Sequence, residues 1–244
     1  MSAFRQQSLM EVRRIYRHPR FVVFTYLTPL VFFLFFMWVY GEHPLAEAGS
    51  NRRFFLVGMS AYGVIGAAIG IFGARVAMER QRGWFRLLRT TPLPVWAVFG
   101  AKLAALLVAS LGIAIIMLIA GMVVNGPGLL SPGGWLGLAA ILVLGSLPFG
   151  ALALALGYWI DAESAYAVSL AIYFSLGILG GLFLPLQYMP DLVQQIGRAL
   201  PSYDYARLGW DLVAGRSVSW IHAGWLAVYL VAFLAIAALG FRRD

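Results

Sequence analysis

The single lysine of this chain, Lys102, sits in Ala101-Lys102-Leu103. A chain that hydrolyses ATP needs a glycine-rich phosphate loop closed by lysine and a serine or threonine, and nothing around Lys102 has that form. His18, His43 and His222 are scattered at the ends of apolar runs or in loops, without the H-E-x-x-H spacing of a metalloprotease. There is no cysteine, so thiolate chemistry and thiolate metal sites are excluded. Ser60, Ser110, Ser146, Ser169 and Ser175 lie in apolar runs. A nucleophilic serine needs a base within hydrogen-bond reach, and no histidine or lysine falls at a matching depth, which leaves bonds to carbonyls of their own helices. The ten acidic residues occur in loops, at the ends of apolar runs or in one segment near the C-terminus. Ion-coupled carriers keep an ionisable group in the membrane interior, so this distribution argues against one. No catalytic residue, cofactor site or metal site is expected, and any energy source must come from another chain.

The elements that would position such residues are membrane spans. The chain is 61% hydrophobic and 11% charged, against about 45–50% and about 25% in soluble domains. So few charges cannot cover so much apolar surface in water. About 20 apolar residues cross the hydrocarbon core, and six segments qualify: about Phe21–Tyr40, Phe54–Met78, Trp96–Val124, Trp135–Ile160, Ala165–Leu186 and Trp220–Phe241. Pro29 and Pro148 lie inside spans and remove backbone donors; such breaks persist where neighbouring helices or cavity water satisfy the freed carbonyls. The expected fold is all-α, with an amphipathic helix over residues 1–20 and a six-helix transmembrane domain over residues 21–241.

Arginine placement sets the orientation. Arg5, Arg13, Arg14, Arg17 and Arg20 precede the first span; Arg75, Arg80, Arg82, Arg86 and Arg89 surround the end of the second, with Lys102 beyond; Arg242 and Arg243 end the chain. With six spans these share one side, and the other holds Arg52, Arg53, Arg198, Arg207 and Arg216. Both termini are therefore expected in the cytoplasm of a cell with an inner membrane. The net charge of +8 thus expresses topology and membrane lipid contact, not nucleic-acid binding. Ala46-Glu47-Ala48 faintly resembles a signal cleavage site, but Phe21–Tyr40 is longer than a signal core of about 7–15 residues.

Two polar segments have helical periodicity. In the tail, Leu9, Val12, Ile15 and Tyr16 share a face beside a stripe of Arg13, Arg17 and Arg20, before His18-Pro19 breaks the helix. Such a helix either anchors the chain at the interface or touches a partner. In the segment 79–94, Trp84, Leu87, Leu88 and Thr91 share one face and Arg82, Arg86 and Arg89 another, until Pro92 and Pro94 end it. This is a short cytoplasmic helix, either a plain positive loop or a handle for a cytoplasmic partner.

Glu79-Arg80, Gly83, Leu87-Leu88 and Thr91-Pro92-Leu93 resemble the segment after the second span of type-2 ABC exporter permeases. His18-Pro19-Arg20 before a proline-bearing first span, and Gly180-Gly181 with Pro185, Pro190 and Pro201, extend the resemblance along the chain. Trp84-Phe85 stands where the family has small or polar residues. The resemblance implies that Glu79, Arg80, Gly83, Trp84, Leu87, Leu88, Thr91 and Pro92 form a coupling helix seated in a cleft of a separate ABC ATPase subunit. It also implies that two permease copies or paralogues surround a central path.

Between the fifth and sixth spans, Leu192, Val193, Ile196 and Leu200, then Tyr205, Leu208 and Leu212, make two short apolar faces, with Pro190 at a helix start and Gly215 at a helix end. They read as two interfacial or re-entrant outer helices, or as a surface loop; by resemblance they form an outer gate with Pro185, Pro190 and Pro201. Gly66 and Gly70 make a G-x-x-x-G pair for close helix packing, within the chain or between copies. Phe32, Phe33, Phe35, Phe36 and Trp38 either line an apolar path or face lipid. The expected function is the membrane subunit of an ATP-driven exporter, itself without enzymatic activity. The rival readings are an integral-membrane enzyme acting on lipid or peptide, which would need polar residues meeting at one depth, and a membrane scaffold.

Overall fold

The computed structural model describes residues 3–17, 19–40, 51–84 and 95–243. The described chain is helical: α1 (Ala3–Tyr16), α2 (Pro19–Tyr40), α3 (Asn51–Gln81), α4 (Val95–Asn125), α5 (Pro132–Leu144), α6 (Leu147–Trp159), α7 (Ala165–Leu179), α8 (Asp191–Arg198), α9 (Pro201–Val213) and α10 (Trp220–Arg243). Five stretches are long and apolar enough to cross a membrane: Val23–Tyr40, Asn51–Gln81, Ala97–Asn125, Pro132–Trp159 and Trp220–Phe241. The chain is a polytopic membrane protein.

α3 is the axis of the bundle. It is apolar on every side, and small residues let neighbours approach it closely, the pattern of a fully enclosed helix. Phe55, Leu56, Met59, Ile65 and Ile69 are sealed from solvent, with α2, α4, α6, α7 and α9 packed around them. The outer helices carry exposed bulk, such as Phe24 and Trp38 on α2 and Val231 and Leu239 on α10, which only a lipid solvent accommodates without cost.

The fifth expected span is shorter than its apolar run. α7 stops at Leu179, at about 22 Å, because Gly181 takes φ +74°. The Leu182 amide then donates to the Gly177 carbonyl at 3.0 Å and the Gly181 amide to Ile178 at 3.1 Å, a Schellman termination. α7 nevertheless runs along most of α3. Ala165 at its start packs with Ala74 and Ala77, and the Leu182 backbone after its end lies against Gly58, where a side chain would clash with the Leu182 carbonyl at 2.5 Å.

The fourth expected span is broken into α5 and α6 at Gly145-Ser146, just ahead of Pro148, which has no amide to donate. The Ser146 amide turns to Val143 at 3.3 Å, and the Tyr205 hydroxyl of α9 donates to the Leu142 carbonyl at 2.6 Å. A helix of the expected outer segment therefore reaches into the middle of the 132–159 stretch. Its Trp210 stacks on Phe54 at 4.9 Å and donates to the Phe54 carbonyl at 3.2 Å. A surface loop is excluded for α9. α8 is its shorter, more exposed companion.

The two chain ends meet at one end of the bundle. There α1 packs on α4, and Phe241 of α10 meets the rings of Phe99 and Tyr158.

Candidate functional site

Four charged side chains converge at that end. Lys102 Nζ donates to Glu79 Oε2 at 2.7 Å and to Glu11 Oε1 at 3.1 Å, and Arg14 Nη1 donates to Glu79 Oε1 at 2.5 Å. Lys102, Glu79 and Glu11 are 1%, 4% and 3% exposed. The two carboxylates are compensated by these two cations, with the Arg75 guanidinium also in electrostatic reach of both, which is what makes such a cluster tolerable away from water. The neighbouring Arg80 donates to the carbonyls of Tyr158 and, at 3.1 Å, Ile160, satisfying the C-terminus of α6.

This arrangement alters the reading of the segment 79–94. Glu79 and Arg80 belong to the last turn of α3 and point into the protein, and are not part of a separate exposed helix. Gly83, at φ +73°, breaks the helix, and Trp84 beyond it is 38% exposed. Leu87, Leu88, Thr91 and Pro92 lie outside the described residues. The tail helix also differs from its pattern. Glu11 faces inward with Val12, while Leu9 and Tyr16 are exposed, because the buried ammonium of Lys102 draws the carboxylate across. Reading by periodicity missed this cluster. The signal available was a lysine lying six residues inside an apolar run that begins at Trp96, which demands an acidic partner.

The second feature is an apolar cavity of about 470 Å³ among α2, α3 and α7. Thr28, Pro29, Tyr62, Gly70 and Tyr173 are among its walls, and none of the lining residues is charged. The Tyr62 and Tyr173 rings stack at 4.2 Å. The members of the G-x-x-x-G pair part company here. Gly66 receives the Tyr173 ring, which a Cβ would meet at 2.7 Å, whereas Gly70 has nothing within 4 Å and opens on the cavity. The aromatics of α2 divide too. Phe33 is sealed, Phe32 lines the cavity, Phe36 stacks on Phe55 at 4.9 Å, and Phe35 and Trp38 are exposed.

At the opposite end, Pro185 caps a short 3-10 turn over Leu186–Tyr188, Pro190 caps α8 and Pro201 opens α9. Each acid buried in α9 has a partner. Asp211 Oδ1 accepts from Arg216 Nε at 3.0 Å, with Arg207 Nε at 3.3 Å, and Asp204 Oδ1 lies 2.6 Å from His222 Nδ1. Among the described residues no group of three metal-ligating side chains forms.

Comparison with known proteins agrees with this architecture. A family model described as "ABC-2 family transporter protein" matches residues 40–239. The chain is also similar to a Bacillus subtilis (strain 168) protein named "Putative transport permease YvfS", at 30% identity over 237 residues, covering 97% of this chain and 96% of that one.

Proposed function

We propose, from the premise that this chain belongs to the ABC-2 family of transporter proteins, that it is the permease subunit of an ATP-driven exporter, paired with a second permease copy or paralogue and with two separate ATPase subunits. The observation that carries the proposal is this family membership in a chain that has no phosphate-binding loop of its own. The domain that does the work is the segment 21–241, with residues 1–20 as an interfacial helix.

Six crossings are the topology proposed. α7 and its terminating turn run beside α3 from Ala77 to Gly58, a depth of about 28 Å along the α3 axis, close to the hydrocarbon thickness. An even number of crossings also agrees with the meeting of the two chain ends. The arginine-rich end faces the cytoplasm of the inner membrane, and α8 and α9, with Pro185, Pro190 and Pro201 at their turns, form the outer gate.

The coupling element begins after Gly83. Its root is stiff, because Glu79 and Arg80 tie the end of α3 to α1, α4 and α6. A push from the ATPase on Trp84–Pro92 reaches α3 as a rigid displacement and widens the apolar cavity that α3 shares with α2 and α7. That cavity is open on one side, which a second copy closes to make the central path.

The test is co-purification from native membranes in mild detergent. A stoichiometric soluble ATPase is expected with the wild-type chain. Leu87→Asp with Leu88→Asp should lose it while membrane insertion is unchanged. Retention of the ATPase by the double variant overturns the coupling assignment, and recovery of the wild-type chain without any nucleotide-binding partner, even after cross-linking, overturns the exporter assignment.

A further inference from the structure

A cavity of about 330 Å³ lies among α8, α9 and α10, lined by Gln195, Arg198, Ala199, Asp204, Trp225 and Tyr229. Asp204 is 4% exposed. Its Oδ1 is engaged by His222, while its second carboxylate oxygen has no hydrogen-bond partner among the described residues and is not sealed from the cavity. A carboxylate oxygen so placed needs a donor. The walls say which kind. The Tyr229 hydroxyl is spent on the Ala199 carbonyl at 2.5 Å, so Tyr229 offers its ring, and Trp225 is half-exposed beside it. Aromatic rings lining the same cavity as a carboxylate suit an ammonium group, which supplies donors to the acid and positive charge to the rings. Arg198 is exposed at the rim, where it donates to Gln194 Oε1 at 3.3 Å, and its fork suits an anionic oxygen group.

We propose that this cavity binds a phosphoethanolamine group, its primary ammonium on Asp204 between Trp225 and Tyr229 and its phosphate on Arg198. The source is the headgroup of a phospholipid in the adjoining leaflet. The helices that form the cavity also present Leu192, Trp220 and Ile221 to the surroundings, at 68%, 85% and 65% exposure, the composition of a membrane-facing rim. The site rests on the proposed function only for which leaflet supplies the lipid. Binding requires no ATPase, so failure of the coupling experiment leaves it standing, and its own failure leaves the exporter reading untouched.

The experiment is lipid retention by the full-length purified protein, read by native mass spectrometry after exchange into detergent containing phosphatidylethanolamine, phosphatidylcholine or phosphatidylglycerol, with soluble phosphoethanolamine as a separate arm. Phosphatidylethanolamine should be retained about tenfold over the other two, the scale of one charged hydrogen bond. Asp204→Asn preserves the side-chain shape and should erase the preference. Trp225→Leu, at a half-exposed position, should reduce it without disturbing the bundle, and it decides the matter if the asparagine variant is unstable. Equal retention of all three lipids by the wild type, or an undiminished preference in Asp204→Asn or in Trp225→Leu, overturns the site. Binding of soluble phosphoethanolamine but of none of the lipids upholds the ammonium site and overturns its lipid source.

Discussion

The Lys102 ammonium stands 2.7 Å from the Glu79 carboxylate, with both side chains almost sealed from solvent and each on a different membrane-crossing helix. Neither helix can slide past the other without separating these charges, and α1 is fastened to the same lysine through Glu11. The pair therefore joins three helices at the root of the segment that follows Gly83.

Removing one partner from a buried pair leaves an uncompensated charge, at a cost of about 3–5 kcal/mol. Lys102→Met should accordingly lower the melting temperature of the purified protein markedly. Glu11→Gln combined with Lys102→Met should recover much of that loss, because Glu11 is the acid whose ion pair is with Lys102, while Glu79 keeps Arg14. Thermal unfolding in one detergent checks both variants, and equal stability of the single and double variants would show that the two charges are not coupled.

Orientation is testable because the wild-type chain has no cysteine. Arg82→Cys and Ser217→Cys place single thiols at exposed positions near opposite ends of the bundle. A membrane-impermeant maleimide added to intact cells should label the variant at 217 and spare the one at 82, which should react only after permeabilisation. The reverse pattern, or labelling of both, would refute cytoplasmic termini with six crossings.

Much of this molecule was legible as apolar runs. The second, third and sixth expected spans fall within three residues of the helices observed, because length and hydropathy alone decide whether a segment enters lipid. Pro148 marked the broken fourth span, although not the Tyr205 hydroxyl that repairs it. The fifth span was read as too long because residues 182–186 are as apolar as a helix, while the left-handed Gly181 that ends α7 is a conformational signal that hydropathy does not carry. The inward turn of Glu11 was illegible to periodicity, since its cause lies on another helix, ninety-one residues later in the chain. For the same reason Glu79 and Arg80 were read only as part of a coupling helix. Their partners, Lys102, Tyr158 and Ile160, meet them only in the folded bundle.

The Tyr205 hydroxyl donates to the Leu142 carbonyl where the 132–159 stretch breaks. Tyr205→Phe keeps the ring on Phe149, 5.4 Å away, and deletes only that donor. An unsatisfied buried carbonyl costs about 1–3 kcal/mol, so a lower melting temperature is expected at unchanged helix content by circular dichroism. An unchanged melting temperature would mean that water replaces the hydroxyl, and that α9 is not what closes the break.

Gly66 and Gly70 separate packing from pathway. Gly66→Leu drives a side chain into the Tyr173 ring and should destabilise the bundle, because overpacking costs about 1–3 kcal/mol. Gly70→Leu meets nothing within 4 Å and gains helix propensity, so stability should hold while the cavity narrows. Nucleotide-dependent labelling can follow this. Gly70→Cys should react with a small maleimide in the assembled transporter at a rate that changes between ATP-bound and nucleotide-free states, whereas Ser60→Cys, sealed within the same helix, should be inert in both. Equal, nucleotide-independent labelling at the two positions would remove the cavity from the transport path.

Burial holds the Asp204 carboxyl above the usual carboxylate range, and the bond to His222 offsets that only in part. An ammonium ligand requires the ionised acid. Retention of phosphatidylethanolamine should therefore be full above the raised value and decline as the pH falls through it, earlier on acidification than an ordinary carboxylate would allow. The charged and titratable groups facing Asp204 come from two packed helices. They are His222 from α10, bonded to Oδ1, Arg198 from α8, at the cavity rim, and the Tyr229 hydroxyl from α10, which is committed to Ala199. Acid should also weaken the preference over phosphatidylglycerol, since that preference comes from Asp204 and not from Arg198. Asp204→Asn should show low retention at every pH. A wild-type profile that stays flat down to the range of ordinary carboxylates would mean that Asp204 does not hold the ammonium.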